Sequence, residues 1–274
     1  MSHTLHFYPA GGVVTPEQWL ALGQAAREHA DGYVYLDEHS VLTLRGVDDE
    51  ADMSSVSLPH SAPHVVASPL SLHARTLAVR VAEELAAVVP EHEGALTRLV
   101  HTVVGIDGGH GDIVAHGVSL GLQLQNPANT TLVRLIQDGR VSDEVLALDD
   151  ALPALIDSVL TSVTSDAVAG EAMSSAEAEG AHSDRGPAAL AHAPIGWLTE
   201  HTAKGRVDLG AGLHKGVLPG EYAGLIAQLD VPITVTPWRG LVLHDLADGD
   251  ADVVLRVLAP RGFIFDAQSP YLQD

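Results

Sequence analysis

The sequence has no cysteine among its 274 residues, which removes one class of chemistry from them. Disulfides, thiol nucleophiles and cysteine-ligated iron–sulfur clusters cannot be built from these residues. Aromatic residues are few, at 4%, so the core of this 46% apolar sequence must be mainly aliphatic. A chain of this length can bury a sizeable core, as one large domain or as two to three small ones.

Positive charge is scarce too. There are 14 lysines and arginines against 36 acidic residues, which gives a net charge of −22. This balance argues against nucleic acid or an anionic membrane surface as a partner. The sequence has no uncharged apolar run of membrane-spanning length, and Met1–Thr4 does not open a signal peptide. We therefore expect a soluble cytoplasmic protein.

Two parts of the sequence, about 200 residues apart, resemble each other weakly. Each consists of a helix opened by proline and then two short strands. The first copy comprises Thr15–Leu20, Tyr33–Asp37 and Val41–Gly46, and the second comprises Leu218–Tyr222, Pro232–Thr236 and Gly240–His244. A single duplication around a unique centre predicts two half-domains paired about a pseudo-twofold axis, and a ligand usually lies where such parts meet.

The first copy carries clear local signals. Thr15 as N-cap, Pro16 at the first helical position and Gln18 two residues later form a capping-box pattern. In the strand after it, alternation places Leu42 and Leu44 on the core face. Val41, Thr43 and Arg45 then face solvent or a ligand.

The segment from Pro63 onwards predicts a central α+β region. Apolar spacing indicates a helix over about Leu72–Val88, and Leu99–Ile106 has the composition of a strand. A tight turn follows at Asp107–Gly111, and we expect Asp112–Gln125 to continue as one or two strands. Val163–Ala193 is rich in Ala, Ser, Glu and Gly, which is typical of a flexible linker or a long surface loop.

Three local motifs each have a simpler interpretation than a functional site. Gly117–Gly121 matches a nucleophile-elbow string, but the residues after its serine alternate as a strand rather than a helix, which disfavours a hydrolase. Gly105–Gly111 lacks the Lys-Ser/Thr of a phosphate loop and is not expected to enter a helix, so a β-turn is favoured over a ligand loop. His110, Asp112 and His116 are close in sequence without metal-site spacing, so no metal site is predicted.

In order and spacing, several segments resemble the nitrite and sulfite reductase family of sirohaem proteins. Within it, the chain is most similar to the precorrin-3B synthases of aerobic cobalamin biosynthesis. The segments that carry the resemblance are Val41–Gly46, Val65–Leu70, Gly105–Asp112, Gly196–Leu198 and Val235–Leu241.

The resemblance implies an α+β fold in which two ferredoxin-like half-domains embrace a central sirohaem-type domain. The corresponding boundaries are 1–58 for the first half-domain, 59–162 for the central domain, 163–193 for the linker and 194–274 for the second half-domain. It also implies a tetrapyrrole ligand, a sirohaem cofactor with a 4Fe-4S cluster, and oxidation of precorrin-3A by dioxygen.

The sequence departs from the family pattern at the residues that would bind the cofactors. The family's cluster cysteines would begin soon after Leu272, so a 4Fe-4S cluster is predicted to be absent from this chain. Several expected basic residues are replaced, whereas Arg45, Arg239 and Lys215 remain. By resemblance, the candidate cofactor-binding residues are Thr43, Arg45, His39, His101, His110 and Arg239.

Three functions stay open at this point. The first is a precorrin-3B synthase-like oxidoreductase, truncated or degenerate and catalytically impaired as the chain stands. The second is a non-catalytic module that binds a tetrapyrrole or a partner protein. The third is a structural remnant without a ligand.

Overall fold

A computed structural model describes residues 2–60, 63–88, 102–169, 193–200 and 202–272, with only the backbone described for 163–169. These residues form six α-helices and three β-sheets, so the α+β class is confirmed. None of the helices in these ranges is both long enough and apolar enough to span a membrane.

The first sheet is antiparallel, and its last strand comes from the far end of the sequence. Its strands, in spatial order, are β1 (Ser2–Phe7), β4 (Leu42–Asp48), β3 (Tyr33–Leu36) and β13 (Val217–Pro219). Leu42 and Leu44 are fully buried, as their alternation predicts.

The second sheet has the same plan. Its spatial order is β11 (Gly196–Leu198), β12 (Arg206–Leu213), β15 (Gly240–Ala247), β14 (Ile233–Thr236) and β2 (Val13–Val14), with β16 (Phe263–Ile264) also paired to β12. Each of these two sheets therefore takes an edge strand from the other half of the chain, because β2 pairs with β14 and β13 pairs with β3.

Two glycines make this strand exchange possible. Gly12 precedes β2 and Gly216 precedes β13, and both have a left-handed φ, of 73° and 67°. A Cβ on Gly12 would overlap the carbonyl oxygen of Val235, and one on Gly216 would overlap that of Leu36. The exchanged strand can approach its partner sheet only because no side chain is present there.

Helices α1 (Pro16–His29) and α5 (Gly220–Ala227) pack against each other across these two sheets. The predicted capping box is present, since the Thr15 side chain accepts from the Gln18 amide and the Gln18 side chain accepts from the Thr15 amide. Trp19 and Leu22 are fully buried on the inner face of α1. One aliphatic core joins both sheets with α1, α5 and α6 (Asp248–Leu258).

The central sheet mixes parallel and antiparallel pairs. Strands β5 (His64–Ala67), β6 (Val103–Asp107) and β7 (Leu120–Asn126) are parallel, and β8 (Asn129–Gln137) pairs antiparallel with β7. The short strands β9 (Arg140–Val141) and β10 (Leu146–Ala147) both pair with β8. Helices α2 (Leu72–Val88) and α4 (Leu148–Ala169) cover one face and enclose a second core.

The prediction that Asp112–Gln125 is entirely strand was wrong in its first part. Asp112–His116 is a helix, α3, so the glycine-rich loop does run into a helix. The cause is the buried carboxylate of Asp107, which accepts hydrogen bonds from the amides of Ile113 and Val114 and so begins the helix.

The predicted linker also begins later than expected. Helix α4 continues through Val163–Ala169, the first residues of that segment, while residues 170–192 lie outside the described ranges. The Leu99–Ile106 strand is observed from Val103, and its first three residues are likewise undescribed. The other boundaries of the predicted domains stay predictions.

Candidate functional site

The outward face of the first sheet carries two of the predicted residues, Thr43 and Arg45. Alternation along β4 turns both away from Leu42 and Leu44, but of the three residues predicted on this face only Arg45 is exposed: Thr43 and Val41 are buried, at 8% and 4% exposure. Thr43 lies opposite Tyr35 on one side and His6 on the other, and its hydroxyl is 3.0 Å from Nδ1 of His6. We call Thr43, Arg45, Tyr35 and His6 the open face.

Arg45 is the main cation of the open face. Its guanidinium carbon lies 3.9 Å from the centroid of the Tyr35 ring, a cation–π distance. The Tyr35 hydroxyl donates to Asp31 at 2.7 Å, and burial, followed by this hydrogen bond, raises the pKa of Tyr35. Arg45 forms no ion pair with any carboxylate of the described residues, so its N–H groups remain available to an anion.

The matching face of the second sheet is closed. By the registers of the paired strands, Thr234 of β14 corresponds to Tyr35 of β3, and His244 of β15 corresponds to Arg45 of β4. His244 Nδ1 lies 2.9 Å from Asp208, and its Nε2 lies 2.9 Å from the Thr234 hydroxyl. Arg75 of α2 donates to that hydroxyl at 2.9 Å, so the central unit covers this face.

This buried network is internally consistent. Burial lowers the pKa of His244, and the nearby Arg75 charge acts in the same direction against its bond to Asp208. Burial alone would raise the pKa of Asp208, but its hydrogen bonds with His244 and the Asp245 amide, together with the charge of Arg75, outweigh it, so that pKa is lowered. An ionised Asp208 and a neutral His244 are hydrogen-bonded to each other, and Arg75 donates to Thr234, although the buried Nε of Arg75 has no hydrogen-bond partner among the described residues. On the open face of the first sheet, by contrast, Arg45 and His6 are exposed, and only Thr43 is buried.

His39 and Arg239 form a separate group at the junction of the three sheets. Both lie in loops, His39 between β3 and β4 and Arg239 between β14 and β15. Glu38, next to His39, accepts from Arg239 Nη2 at 2.5 Å, in a half-buried ion pair. Arg239 has a left-handed φ of 57°, and the exposed Lys215 belongs to the adjoining turn before β13.

A cavity of about 320 Å³ adjoins this junction. Its wall includes the imidazoles of His39 and His116 and the hydroxyls of Thr102, Ser119 and Ser162. Among the described residues that line it there is no carboxylate, although the chain has a net charge of −22. The size lies at the lower end of the range for small-molecule pockets.

His110 lies in the exposed part of the loop between β6 and α3. Asp107 of this loop is fully buried and accepts from the amides of Gly109 and Gly111 with one oxygen, so its role is to hold the loop. Burial, then the charge of Asp107, raises the pKa of Asp112 to about 6. Ser68 donates to Asp112 at 2.5 Å.

The structure thus divides the predicted residues. Thr43 and Arg45 share the open face, His39 and Arg239 meet through Glu38, His110 belongs to the Asp107 loop, and His101 lies outside the described residues. Within the described ranges, no three His, Asp or Glu side chains are grouped so as to hold a metal ion.

Sequence reasoning missed Tyr35, His64 and His116. Tyr35 could have been found, because its alternation in β3 places it beside Thr43. His64 and His116 carry no sequence signal, since their partners in the β3–β4 loop are distant along the chain.

Comparison with known proteins shows a likeness of fold. No protein-family model matches the chain, and no curated protein matches it by sequence. Among solved structures, the NirA protein of Mycobacterium tuberculosis is similar, with a TM-score of 0.64 at 15% sequence identity. The likeness covers 96% of this chain and 57% of the NirA chain, so the present sequence spans little more than half of that protein.

Proposed function

We propose that this chain binds an anionic tetrapyrrole on the open face of its first sheet, as a relative of precorrin-3B synthase. NirA is a sulfite/nitrite reductase, so the fold is one on which such cofactors are handled. The observation that carries the proposal is the pairing of Arg45 and Tyr35 on an exposed sheet face. An aromatic ring offers a surface to a flat macrocycle, and an unpaired guanidinium binds a carboxylate.

The contrast between the two sheets supports this choice of face. At the matching positions of the second sheet, His244 and Thr234 are 5% and 0% exposed and satisfied by Asp208 and Arg75. That face has no room for a ligand, whereas Arg45 is exposed. The common strand order of the first and second sheets supports a pseudo-twofold relation between the two halves. The proposed site would then lie on one side of that axis only.

The residues fit the two expected cofactors unequally. Arg45 and the Tyr35 ring suit one edge of a sirohaem, which carries several carboxylates. They do not suit a 4Fe-4S cluster, because none of the 274 residues can supply a thiolate. We therefore propose ligand binding by this chain and assign no catalytic step to its residues.

The test is a titration of the purified chain with sirohaem, followed by visible absorption. We expect saturable binding that Arg45→Ala weakens by about tenfold, the loss of roughly 1.4 kcal/mol from a charge-assisted hydrogen bond. The matched control is Arg256→Ala, which removes an exposed arginine of α6 paired only with Asp252. Equal binding by Arg45→Ala and wild type would refute the assigned site, and no binding by either would refute tetrapyrrole function.

A further inference from the structure

Helix α6 is apolar on two opposite faces. Its inner face buries Ala251, Val254 and Leu258 in the aliphatic core of the first and second sheets. Its outer face carries Val253 and Val257, which are 59% and 37% exposed. A helix that covers a core from the surface needs one apolar face, and charged or polar residues usually occupy the other. The outer face of α6 therefore has the composition of a contact surface.

The exposed valines form a stripe along α6. Val253 and Val257 are one turn apart, and the exposed Pro260 continues the line in the short 3₁₀ turn Ala259–Arg261 that follows. Valine is unfavourable at an exposed helical position, because its branched side chain loses rotamer freedom there. The described residues bury neither valine, so packing within this chain does not offset that cost. We call Val253, Val257 and Pro260 the outer stripe.

Charges stand in a fixed order beside the outer stripe. Asp250 lies in the first turn of α6, and Arg261 lies just beyond its last turn, 11 residues later. That spacing is about three helical turns, so both side chains are on the same side of the stripe. Arg261 also donates to the carbonyl of Val257 at 2.5 Å, which holds it at the end of the stripe. Neither Asp250 nor Arg261 forms an ion pair within the described residues, whereas Arg256 pairs with Asp252 at 2.8 Å.

This order of charges makes the outer stripe complementary to itself. When two copies of a helix lie antiparallel across a twofold axis, the first turn of each lies beside the last turn of the other. Val253 of one copy then packs against the partner's Val257, and Asp250 lies beside the partner's Arg261. Both pairs are centred close to Leu255, so one arrangement satisfies the apolar and the charged contacts together.

A second copy of this chain is the partner that the order of charges favours. A basic partner, which the net charge of −22 would otherwise attract, meets Arg256 and Arg261 at this surface. An acidic partner meets the carboxylates of Asp248 and Asp250. Repulsion between two copies as wholes is screened beyond about 8 Å at physiological ionic strength, whereas the contacts at the stripe are closer than that.

We propose that α6 is a self-association surface, on which two copies of the chain pair antiparallel through the outer stripe. Because one helix offers a small area, the dimer is reversible, with a dissociation constant on the order of micromolar. The surface lies on α6, whereas the open face lies on the first sheet. The inference therefore does not depend on the proposed ligand.

Sedimentation velocity of the intact chain, from about 1 μM to about 200 μM, tests the surface. We expect wild type to shift from monomer to dimer, and Val257→Asp to raise the dissociation constant at least about tenfold, because it places an unpaired charge in the stripe. The matched control is Val79→Asp on α2, a valine with the same 37% exposure, which should associate like wild type. A monomer at every concentration, or equal weakening by both variants, overturns the proposal.

A charge exchange tests the antiparallel pairing, and it stays informative if Val257→Asp does not fold. Asp250→Arg and Arg261→Asp each change an exposed residue and set like charges beside each other, so each should weaken association about tenfold. The double variant restores the opposite charges and should return to within about threefold of wild type.

Both substitutions oppose the helix dipole, so recovery in the double variant cannot come from the helix itself. Circular dichroism checks that each variant is folded. A double variant that associates as weakly as the single variants, or single variants that associate like wild type, would overturn the proposal.

Discussion

The guanidinium carbon of Arg45 lies 3.9 Å from the centroid of the Tyr35 ring, on a sheet face that the described residues leave open. The contact orients a cation that has no carboxylate partner among the described residues. It is the element of the structure most directly suited to an anionic, planar ligand.

The ring of Tyr35 should matter more than its hydroxyl. Replacing it with leucine removes the platform under Arg45 and should weaken sirohaem binding about threefold to fivefold, matching the ~0.5–1 kcal/mol of an exposed cation–π contact. Tyr35→Phe keeps the ring and should bind like wild type. Absorption titrations of the two variants provide the comparison, and a larger loss in Tyr35→Phe would assign the effect to the bond with Asp31 instead.

The buried pair of Asp208 and His244 should make the protein sensitive to acid. Removing the imidazole in His244→Ala leaves a buried carboxylate without its main partner and should cost about 3 kcal/mol in the free energy of unfolding. Urea denaturation at pH 8 measures it, with His73→Ala as an exposed control.

The same pair predicts a pH profile. Because the pKa of His244 is lowered in the folded state, its contribution is complete above about pH 6.5 and is lost as the pH falls through the folded value. Asp208, also lowered, loses its contribution only below its ordinary value of 3.8. Stability should therefore fall between pH 7 and pH 5 less steeply in His244→Ala than in wild type; parallel profiles would contradict this.

The glycine before the exchanged strand β13 should not tolerate a side chain. Gly216→Ala combines a left-handed φ with overlap of the Leu36 carbonyl, and should cost about 3 kcal/mol or more. Gly249→Ala is the matched control, since a Cβ there meets nothing within 4 Å and its φ is ordinary. Thermal unfolding of both variants separates strain from a general effect of added methyl groups.

The backbone of Arg239 should be strained. Arg239→Ala and Arg239→Gly both lose the ion pair with Glu38, but only glycine adopts the left-handed φ of 57° without cost. The glycine variant should be more stable than the alanine variant by about 1 kcal/mol in urea. Equal stabilities would mean that the loop relaxes once the side chain is removed.

The carboxyl group of Asp112 should titrate near pH 6, well above its ordinary value of 3.8. Its pKa is raised to about 6 by burial and by Asp107, so its contribution to stability is complete below its ordinary value of 3.8 and is lost as the pH rises through about 6. Carbon NMR of the carboxyl group should show the titration directly. Ser68→Ala removes a bond to the carboxylate and should raise the midpoint further, whereas a fall would contradict the assigned hydrogen bond.

The parts of the fold that depend on local sequence were predictable. The capping box at Thr15 and Gln18, the extent of α2 and the burial of Leu42 and Leu44 each follow from spacing within a few residues. The helix Asp112–His116 was missed because a side chain, that of Asp107, supplies its first acceptors. Local helix propensity does not predict a hydrogen bond between a side chain and the backbone several residues away.

The candidate site, like the fold, was predictable only where it depends on neighbouring residues in the sequence. Alternation correctly predicted that Arg45 is exposed, since it depends only on neighbouring residues, but it did not predict the burial of Thr43 and Val41 on the same face. Whether that face is open or covered depends on where α2 packs, and the role of His64 and His116 depends on loops distant in sequence. Neither is encoded in a short stretch of the chain.

The exchange of β2 and β13 sets the order in which the protein can fold. Strand β3 leaves the ribosome long before β13, so the edge of the first sheet stays unpaired until residues 217–219 are available. Contacts this distant along the chain close slowly, and an open strand edge is a site of aggregation in the meantime. The first and second sheets can therefore reach their final strand order only late and together, once both exchanged strands are available.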